Sequence, residues 1–305
     1  MSIVTAGLIL NLDASDPASY PGTGSTWYDL SGNGYNFTLE NSPTWDNSGY
    51  FTFNGTDQYA RLDNPPTNLV DWYSSDYTCC FWVYNNAFTS SQNGRSVGFG
   101  NSETNNVQFW TLGTESNGNV SFYMFNGGPD SYYSNVFLNL NTWNYLSLVQ
   151  TGGNIYLYAN GSLCYTGTVA GTPQSSSLYP FNLGGTSGYI NGRVYATQVY
   201  NIALNASQIL QNYQSSPYAP SYANARVTQS SLPTLVQSTN ANVLVTQNSL
   251  PVLIQATNAN VQVTQSALPT LVQSTNANVL VTQSALLVLQ PALINNNEKV
   301  YVTFF

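Results

Sequence analysis

The side chains that most often carry out acid–base or metal chemistry are scarce in this 305-residue chain. It contains 13 Asp and Glu, five Lys and Arg, and no His. Without an imidazole, a Ser-His-Asp triad and a histidine metal ligand are both excluded within one chain. Glycoside hydrolysis needs two carboxyl groups flanking one bond, and the closest pair, Asp13 and Asp16, precedes Pro17 in a segment typical of turns. The glutamates are isolated from one another, so we predict that the protein is not an enzyme. They are Glu40, Glu103, Glu115 and Glu298.

Aromatic side chains are the other candidates for a functional role. The chain has 23 Tyr, 13 Phe and 6 Trp. Binding sites for sugars combine apolar and aromatic surfaces with a few neutral donors and acceptors. Trp110 and the segment 130–135, which contains Tyr132 and Tyr133, offer both kinds of group and are the predicted glycan-binding residues. The alternative for each ring is that it fills the core or belongs to the ordinary surface.

Charge and cysteine content exclude several partners. The net charge is −8, and no basic cluster is present that could bind nucleic acid or anionic lipid. We therefore predict neither nucleic acid nor a membrane as a partner. Cys79 and Cys80 are adjacent and Cys164 is isolated, so we expect buried free thiols. The first residues lack the basic leader of a signal peptide, and no apolar run reaches the length of a membrane span.

Composition changes sharply around residues 217–220. Only four aromatic residues follow Pro220, whereas the preceding part is rich in them. Proline cannot continue a helix or a strand ladder, so Pro217 and Pro220 predict a boundary. We predict a first domain at 1–218, a linker at 219–225 and a second module at 226–305.

Short strands separated by turn residues are indicated throughout the first domain. Runs rich in Tyr, Phe, Trp, Val and Thr alternate with clusters of Gly, Asn, Ser and Pro, which is typical of an antiparallel sandwich. Residues 146–149 and 155–158 predict a hairpin, and Asn160-Gly161 predicts a second tight turn. Asn205 followed by Gln208 predicts the start of one helix.

Several motifs of the first domain occur together in one known family. The segments Gly7-Leu-Ile-Leu-Asn-Leu-Asp-Ala, Trp27-Tyr-Asp-Leu-Ser-Gly-Asn-Gly, Phe51-Thr-Phe-Asn-Gly-Thr-Asp-Gln-Tyr, Tyr156-Leu-Tyr-Ala-Asn-Gly, Phe181-Asn-Leu-Gly-Gly and Gly192-Arg-Val-Tyr-Ala-Thr-Gln-Val-Tyr-Asn resemble laminin-G-like, concanavalin A-type jelly rolls in sequence and in order. The resemblance implies a jelly-roll fold, which serves lectins, adhesion modules and glycanases. The subtype resembled is common in structural proteins of phages and large viruses.

The resemblance also raises the question of calcium. Some laminin-G-like domains bind calcium through carboxylates of rim loops, and Asp29 and Asp57 lie in matching loop motifs. Calcium takes six to eight oxygen ligands, usually including several carboxylates. The alternative, a structural role in turn and loop hydrogen bonds, is the interpretation we favour, and no cofactor is predicted.

The second module is an internal repeat of 18 residues. Val-Thr-Gln recurs in four copies, and Leu-Pro follows in three of them, while Asn-Ala-Asn separates the copies. Each copy predicts two short strands with the Asn-Ala-Asn as a turn. The predicted assembly residues are Val227, Val245, Val263, Val281, Leu232, Leu250 and Leu268.

The charge pattern of the repeats predicts an assembly surface. Residues 227–297 contain no charged side chain, and a neutral β repeat with open edges would aggregate unless other chains cover it. Similar Val-Thr-Gln segments occur at the C-termini of phage structural proteins, which is a resemblance. We predict a virion protein of a tailed phage (fibre, spike or decoration component), made in the host cytoplasm, which contacts its own copies, as a trimer for example, and other virion proteins. The alternative is a lectin or adhesin that recognises host-surface glycans.

Overall fold

The computed structural model describes residues 2–89, 97–102, 108–125, 129–169, 179–184 and 188–219, together with a series of strands between 223 and 304. The chain divides into two compact units, Met1–Ala219 and Pro220–Phe305. Among the described residues, no helix is long and apolar enough to cross a membrane.

The described elements of the first unit are mostly short strands. In chain order they are β1 (Leu8–Asp13), β2 (Thr26–Trp27), β3 (Phe37–Glu40), β4 (Thr44–Asp46), β5 (Tyr50–Asn54), β6 (Tyr59–Leu62), α1 (Thr67–Val70), β7 (Tyr77–Ala87), β8 (Val97–Ser102), β9 (Gln108–Thr114), β10 (Asn119–Phe125), β11 (Pro129–Phe137), β12 (Trp143–Thr151), β13 (Asn154–Ala159), β14 (Ser162–Thr168), β15 (Phe181–Leu183), β16 (Asn191–Tyr200) and α2 (Ala206–Ser215).

These strands form two antiparallel sheets that enclose one core. The first sheet has the order β14-β13-β12-β7-β16-β5-β4, with β1 also paired to β16. The second has the order β11-β10-β9-β8-β15-β6-β3-β2. Side chains of both inner faces, such as Phe81 and Leu146 from the first sheet and Phe122 and Phe181 from the second, are fully buried in one cluster. The first unit is therefore an all-β sandwich consistent with a jelly roll.

Two tight turns connect the strands at one edge of the first sheet. Gly152 and Gly153 join β12 to β13 with φ of +56° and +79°, and Asn160 and Gly161 join β13 to β14 with φ of +51° and +78°. Two successive residues with positive φ match the twist of an antiparallel hairpin. The predicted hairpin and the predicted second turn are both confirmed.

Helix α2 covers part of the outer face of the first sheet. Its N-terminus carries the predicted capping box: the Asn205 side chain accepts from the Gln208 backbone, and the Gln208 side chain accepts from the Asn205 backbone. Tyr213 stacks on Trp82 of β7 with 5.4 Å between ring centroids. The outer face of this sheet is thus divided between a covered part and an open part.

The adjacent cysteines lie in the middle of β7. Cys79 and Cys80 are both fully buried free thiols, as predicted. Successive side chains of a strand point to opposite faces, and Cys79 accordingly belongs to the core cluster while Cys80 does not. Burial raises the pKa of the Cys80 thiol to about 11.

The second unit consists of two parallel sheets. Its described strands are β17 (Ala223–Gln229), β18 (Thr234–Thr239), β19 (Ala241–Gln247), β20 (Val252–Thr257), β21 (Asn260–Gln265), β22 (Thr270–Thr275), β23 (Asn278–Gln283) and β24 (Val300–Phe304). One sheet has the order β17-β19-β21-β23-β24 and the other β18-β20-β22. Each complete described repeat therefore contributes one strand to each sheet, which is the strand pairing of a β solenoid.

The repeats stack in register. Val227 pairs with Val245, Val245 with Val263, and Val263 with Val281, so equivalent residues of successive copies are neighbours. Like charges directly opposite one another destabilise a ladder. This pairing gives a physical reason for the absence of charge between 227 and 297, because any charged position repeated in register would face itself.

Two details of the predicted second module need correction, and a third falls outside the described residues. Strand β17 begins at Ala223, so the predicted linker 219–225 extends into the sheet. The second Asn of each Asn-Ala-Asn lies in a strand rather than in a turn, because the ladder continues through it. The predicted assembly residues Leu232, Leu250 and Leu268 lie outside the described residues.

Candidate functional site

Trp110 is placed in the core and not on a binding surface. Its side chain is fully buried, and its indole N–H donates to the Val70 carbonyl oxygen at 2.9 Å. The ring lies 5.4 Å from that of Phe181 and 5.9 Å from that of Tyr77. The prediction of Trp110 as a glycan-binding residue is therefore corrected: the ring has no face for a ligand, and its polar atom is already paired.

The other two predicted glycan-binding residues lie on β11. Tyr132 is half-buried against the core, with its ring stacked at 6.3 Å from Phe122 and tilted at 6.0 Å from Tyr165. Part of its aromatic surface is thus occupied by the protein. The side chain of Tyr133 lies outside the described residues. Tyr132 gains no support as a binding site from these contacts, and both residues stay predictions.

Asp29 organises a loop between β2 and β3. One carboxylate oxygen accepts from the backbone N–H groups of Asn11 and Ser31, both at 2.9 Å. The other accepts from the Ser31 hydroxyl at 2.7 Å and from the Tyr35 N–H at 3.1 Å. Four donors therefore point at this carboxylate where a cation would need to approach.

Asp57 has a similar structural role at a distant place. Its carboxylate accepts from the Asn54 side-chain amide at 2.7 Å, within the turn between β5 and β6. Asn54 pairs with Asn191 at one end of β16, whereas Asn11, which binds Asp29, pairs with Gln198 near the other end. Seven residues of strand separate these points by roughly 20 Å. The two carboxylates cannot share an ion, and the structural interpretation fits each of them.

The pair Asp13 and Asp16 caps the turn that follows β1. Asp13 accepts from the backbone and the hydroxyl of Ser15 at 2.9 and 2.6 Å, and from the Tyr195 hydroxyl at 3.2 Å. Asp16 accepts from the Ala18 N–H at 2.8 Å. The turn interpretation of this pair is confirmed. In the described part of the chain, no group of three or more His, Cys, Asp or Glu residues comes together.

Half-buried aromatic rings gather instead on the open part of the first sheet's outer face. We call this surface the outer aromatic patch, and it consists of Tyr50, Tyr84, Trp143, Arg193 and Tyr218.

Strand register brings four of these side chains together. Trp143 of β12 pairs directly with Tyr84 of β7, and Tyr84 pairs with Arg193 of β16. Arg193 in turn pairs with Thr52 of β5, two residues from Tyr50. Directly paired residues, and residues two apart, share a face of a sheet. The four side chains therefore form one row across adjacent strands.

Tyr218, which follows α2, completes the patch. Its ring stacks on Trp143 with 4.3 Å between centroids, and its hydroxyl donates to the Ser48 carbonyl oxygen. The Trp143 ring also lies 5.6 Å from that of Tyr84 and 5.7 Å from that of Tyr50. All of these residues keep part of their surface exposed, so the cluster is a tightly packed platform with accessible edges.

One cation lies within the platform. The Arg193 guanidinium carbon lies 4.6 Å from the ring centroid of Tyr84 and 5.0 Å from that of Tyr50, which is cation–π distance. Hydrogen bonds from the Ser48 backbone and side chain lower the pKa of Asp46, with a smaller contribution from Arg193. Partial burial raises the pKa of Tyr218 to about 12. The platform therefore combines phenol rings and an indole with the Arg193 guanidinium, and the carboxylate of Asp46 lies beside it.

This arrangement suits a ligand with an apolar ring face and many hydroxyl groups. Exposed ring edges provide apolar contact, while the phenol, guanidinium and carboxylate groups donate and accept hydrogen bonds. The sequence did not indicate this site because its five residues are widely separated along the chain, between positions 50 and 218. A signal was nevertheless present: Tyr84 alternates with the core residue Val83, so its ring had to lie on the opposite face of the sheet.

Comparison with known proteins agrees with the architecture. Residues 54–210 match the family described as the concanavalin A-like lectin/glucanases superfamily. No curated protein sequence matches the chain.

Solved structures share the fold at low sequence identity. Domain 4 of AbnA, a GH43 extracellular arabinanase from Geobacillus stearothermophilus solved with arabinotriose, is 19% identical with a TM-score of 0.52, over 68% of this chain and 99% of that one. A botulinum neurotoxin type C structure, whose report concerns interaction with two ganglioside molecules, is 18% identical with a TM-score of 0.50, over 68% of this chain and 51% of the other. A Trypanosoma rangeli sialidase is 16% identical with a TM-score of 0.50, over 70% of this chain and 33% of the other.

Proposed function

The chain belongs to the concanavalin A-like lectin/glucanases superfamily, and we propose that it is a non-enzymatic structural protein whose lectin-like jelly roll binds glycans through the outer aromatic patch. The observation that carries the proposal is the platform itself: Trp143, Tyr84 and Tyr50 share one solvent-facing row with Arg193. Large exposed patches of apolar and aromatic surface on one face of a domain commonly mark an interaction site.

The composition of the patch favours a glycan over a lipid ligand. A surface for lipid chains would present aliphatic side chains, whereas the accessible groups here are rings with polar atoms at their edges. The neutral Tyr218 phenol donates its one proton to the Ser48 carbonyl oxygen, and its oxygen can still accept a hydrogen bond from a sugar hydroxyl. Two solved structures of this fold are described with a sugar ligand, arabinotriose in one and gangliosides in the other, which is compatible with such a role.

The second unit supplies assembly in this proposal. Its strands stack in parallel register, and in the described residues β17 and β18 each have a partner on one side only. An unpaired parallel edge is a template for another chain. We infer that copies of the chain associate through this unit, which multiplies weak glycan contacts by avidity.

The particle to which such an assembly belongs is a finer proposal. We assign the chain to the virion of a tailed phage, as a fibre, spike or decoration component whose jelly roll faces outward. The support is the resemblance of both modules to phage structural proteins, together with the uncharged repeat. A free lectin or adhesin with the same glycan site is the alternative, and the outer aromatic patch favours it equally.

Three measurements on the full-length protein test these proposals. A glycan panel should show selective binding, and silence across a broad panel would contradict the lectin role. Light scattering over a range of concentrations should give an integer multiple of the chain mass, and a monomer at every concentration would contradict assembly through the repeats. Mass spectrometry of purified phage particles should detect the chain, and its absence from them would favour the free adhesin.

A further inference from the structure

A polar cleft adjoins the outer aromatic patch, and we propose that it is a subsite for a neutral sugar residue. The inference rests on the proposed glycan-binding function and names the class of ligand. The cleft has a volume of about 220 Å³ and opens between β1, β16 and the end of α2. The residues that line it and enter the argument are Asn11, Asp13, Trp82, Tyr195, Gln198 and Asn212.

The amide groups of the cleft are held in fixed orientations. The Gln198 side-chain N–H₂ donates to the Asn11 side-chain oxygen at 3.3 Å. Asn212 accepts from the Val4 backbone N–H at 2.8 Å and donates to the Tyr200 hydroxyl at 2.9 Å. Within the described part of the chain, no hydrogen bond uses the side-chain oxygen of Gln198. The cleft therefore presents a pre-oriented acceptor, together with the remaining N–H groups of the paired amides.

The carboxylates of the cleft determine which ligand charge it can accept. Asp13 is fixed by Ser15 and by the Tyr195 hydroxyl, and Asp16 lies on the same rim. Carboxylate oxygens accept strong hydrogen bonds from sugar hydroxyls but repel an acidic sugar. With a net charge of −8 on the whole chain, a neutral sugar residue is favoured over a sialylated or uronic one.

The cleft and the outer aromatic patch form a continuous surface. The Tyr195 ring lies 5.0 Å from that of Tyr218, which itself stacks on Trp143 at 4.3 Å. A neutral oligosaccharide can thus rest one residue on the platform and place its neighbour in the cleft. Two adjacent contacts on one ligand reinforce each other, because the second needs no further loss of translational freedom.

Titration calorimetry on the full-length protein tests the subsite. The neutral trisaccharides arabinotriose, maltotriose and cellotriose form one arm and the acidic trisaccharide sialyllactose the other. We expect at least one neutral sugar to bind, with sialyllactose at least about tenfold weaker. Gln198→Ala and the similarly sized Gln198→Met, both of which lack the side-chain amide oxygen, should each weaken neutral binding by about three- to tenfold, which corresponds to one lost hydrogen bond.

The matched control is Gln214→Ala, which removes a half-exposed glutamine on α2 outside the cleft and should leave the affinity within about twofold. Sialyllactose binding as tightly as the neutral sugars would overturn the inference. So would unchanged neutral binding in both Gln198 variants when Trp143→Ala abolishes it, a result that leaves the platform standing without the cleft. If no panel sugar binds the wild-type protein, the proposed function and the subsite both fail.

Discussion

Tyr218 packs the segment that follows α2 against the first sheet. Its replacement should therefore separate the contribution of a hydrogen bond to stability from that of ring packing. Tyr218→Phe removes only the hydroxyl that donates to Ser48, while Tyr218→Ala also removes the ring. The ring has three aromatic neighbours, with centroids 4.3, 5.0 and 6.4 Å away for Trp143, Tyr195 and Tyr50.

The two variants should differ in the free energy of unfolding. A neutral hydrogen bond to an exposed carbonyl contributes about 0.5–1 kcal/mol. Each close aromatic pair adds about 0.5–1.5 kcal/mol, and the half-exposed position and the longer third contact reduce the sum. We therefore expect a loss of about 0.5–1 kcal/mol for Tyr218→Phe and about 2–3 kcal/mol for Tyr218→Ala.

Urea denaturation followed by tryptophan emission measures this difference. All six tryptophans lie in the first unit, so the signal reports that unit within the full-length chain. Equal stability of the two variants would refute the reasoning, because the ring contacts would then contribute nothing. A loss confined to the hydroxyl would show that the patch is held by the Ser48 bond alone.

Three further predictions concern the first unit. Asn205→Ala should lower the free energy of unfolding by about 1 kcal/mol, because it removes the capping box of α2, whereas Ser207→Ala, at an exposed helical position, should change it by less than about 0.5 kcal/mol. A thiol-reactive chromophore at pH 8 should label the cysteines of the folded protein slowly, because burial raises the pKa of the Cys80 and Cys164 thiols to about 11. After denaturation it should label all three cysteines rapidly. Rapid labelling of Cys80 in the folded protein would contradict its burial. The free energy of unfolding should fall as the pH rises from about 10 to 12. Tyr218 has a pKa of about 12 in the folded state, whereas a tyrosine in the unfolded chain ionises near pH 10. Tyr218→Phe should reduce the slope of this fall.

Much of the architecture could be predicted because it follows from local chemistry. Paired Gly-Gly and Asn-Gly set the hairpin turns, and Asn205 with Gln208 sets the start of α2. The 18-residue period predicted two strands in each repeat. Local patterns could not reveal that consecutive strands of a repeat join different sheets, because that depends on pairing between copies.

The site was less predictable for two different reasons. The burial of Trp110 could have been predicted from its strand pattern. Trp110 alternates with Thr111 and shares a face with Leu112, so the pattern puts the indole in the core. The outer aromatic patch could not have been predicted from the sequence, because it depends on the strand order β12-β7-β16-β5 and on the register that aligns Trp143, Tyr84 and Arg193. One sequence gives the faces of its strands but not their neighbours.

The central claim, that the outer aromatic patch binds glycan, is tested most directly by the affinity of Trp143→Ala for a glycan that the wild-type chain binds. Calorimetry should show at least about a tenfold loss for Trp143→Ala and a smaller loss for Trp143→Phe, which keeps a ring. The matched control is Phe137→Ala, which removes a 58% exposed aromatic from the second sheet and should leave affinity unchanged. Wild-type affinity in Trp143→Ala, or an equal loss in both alanine variants, would contradict the account.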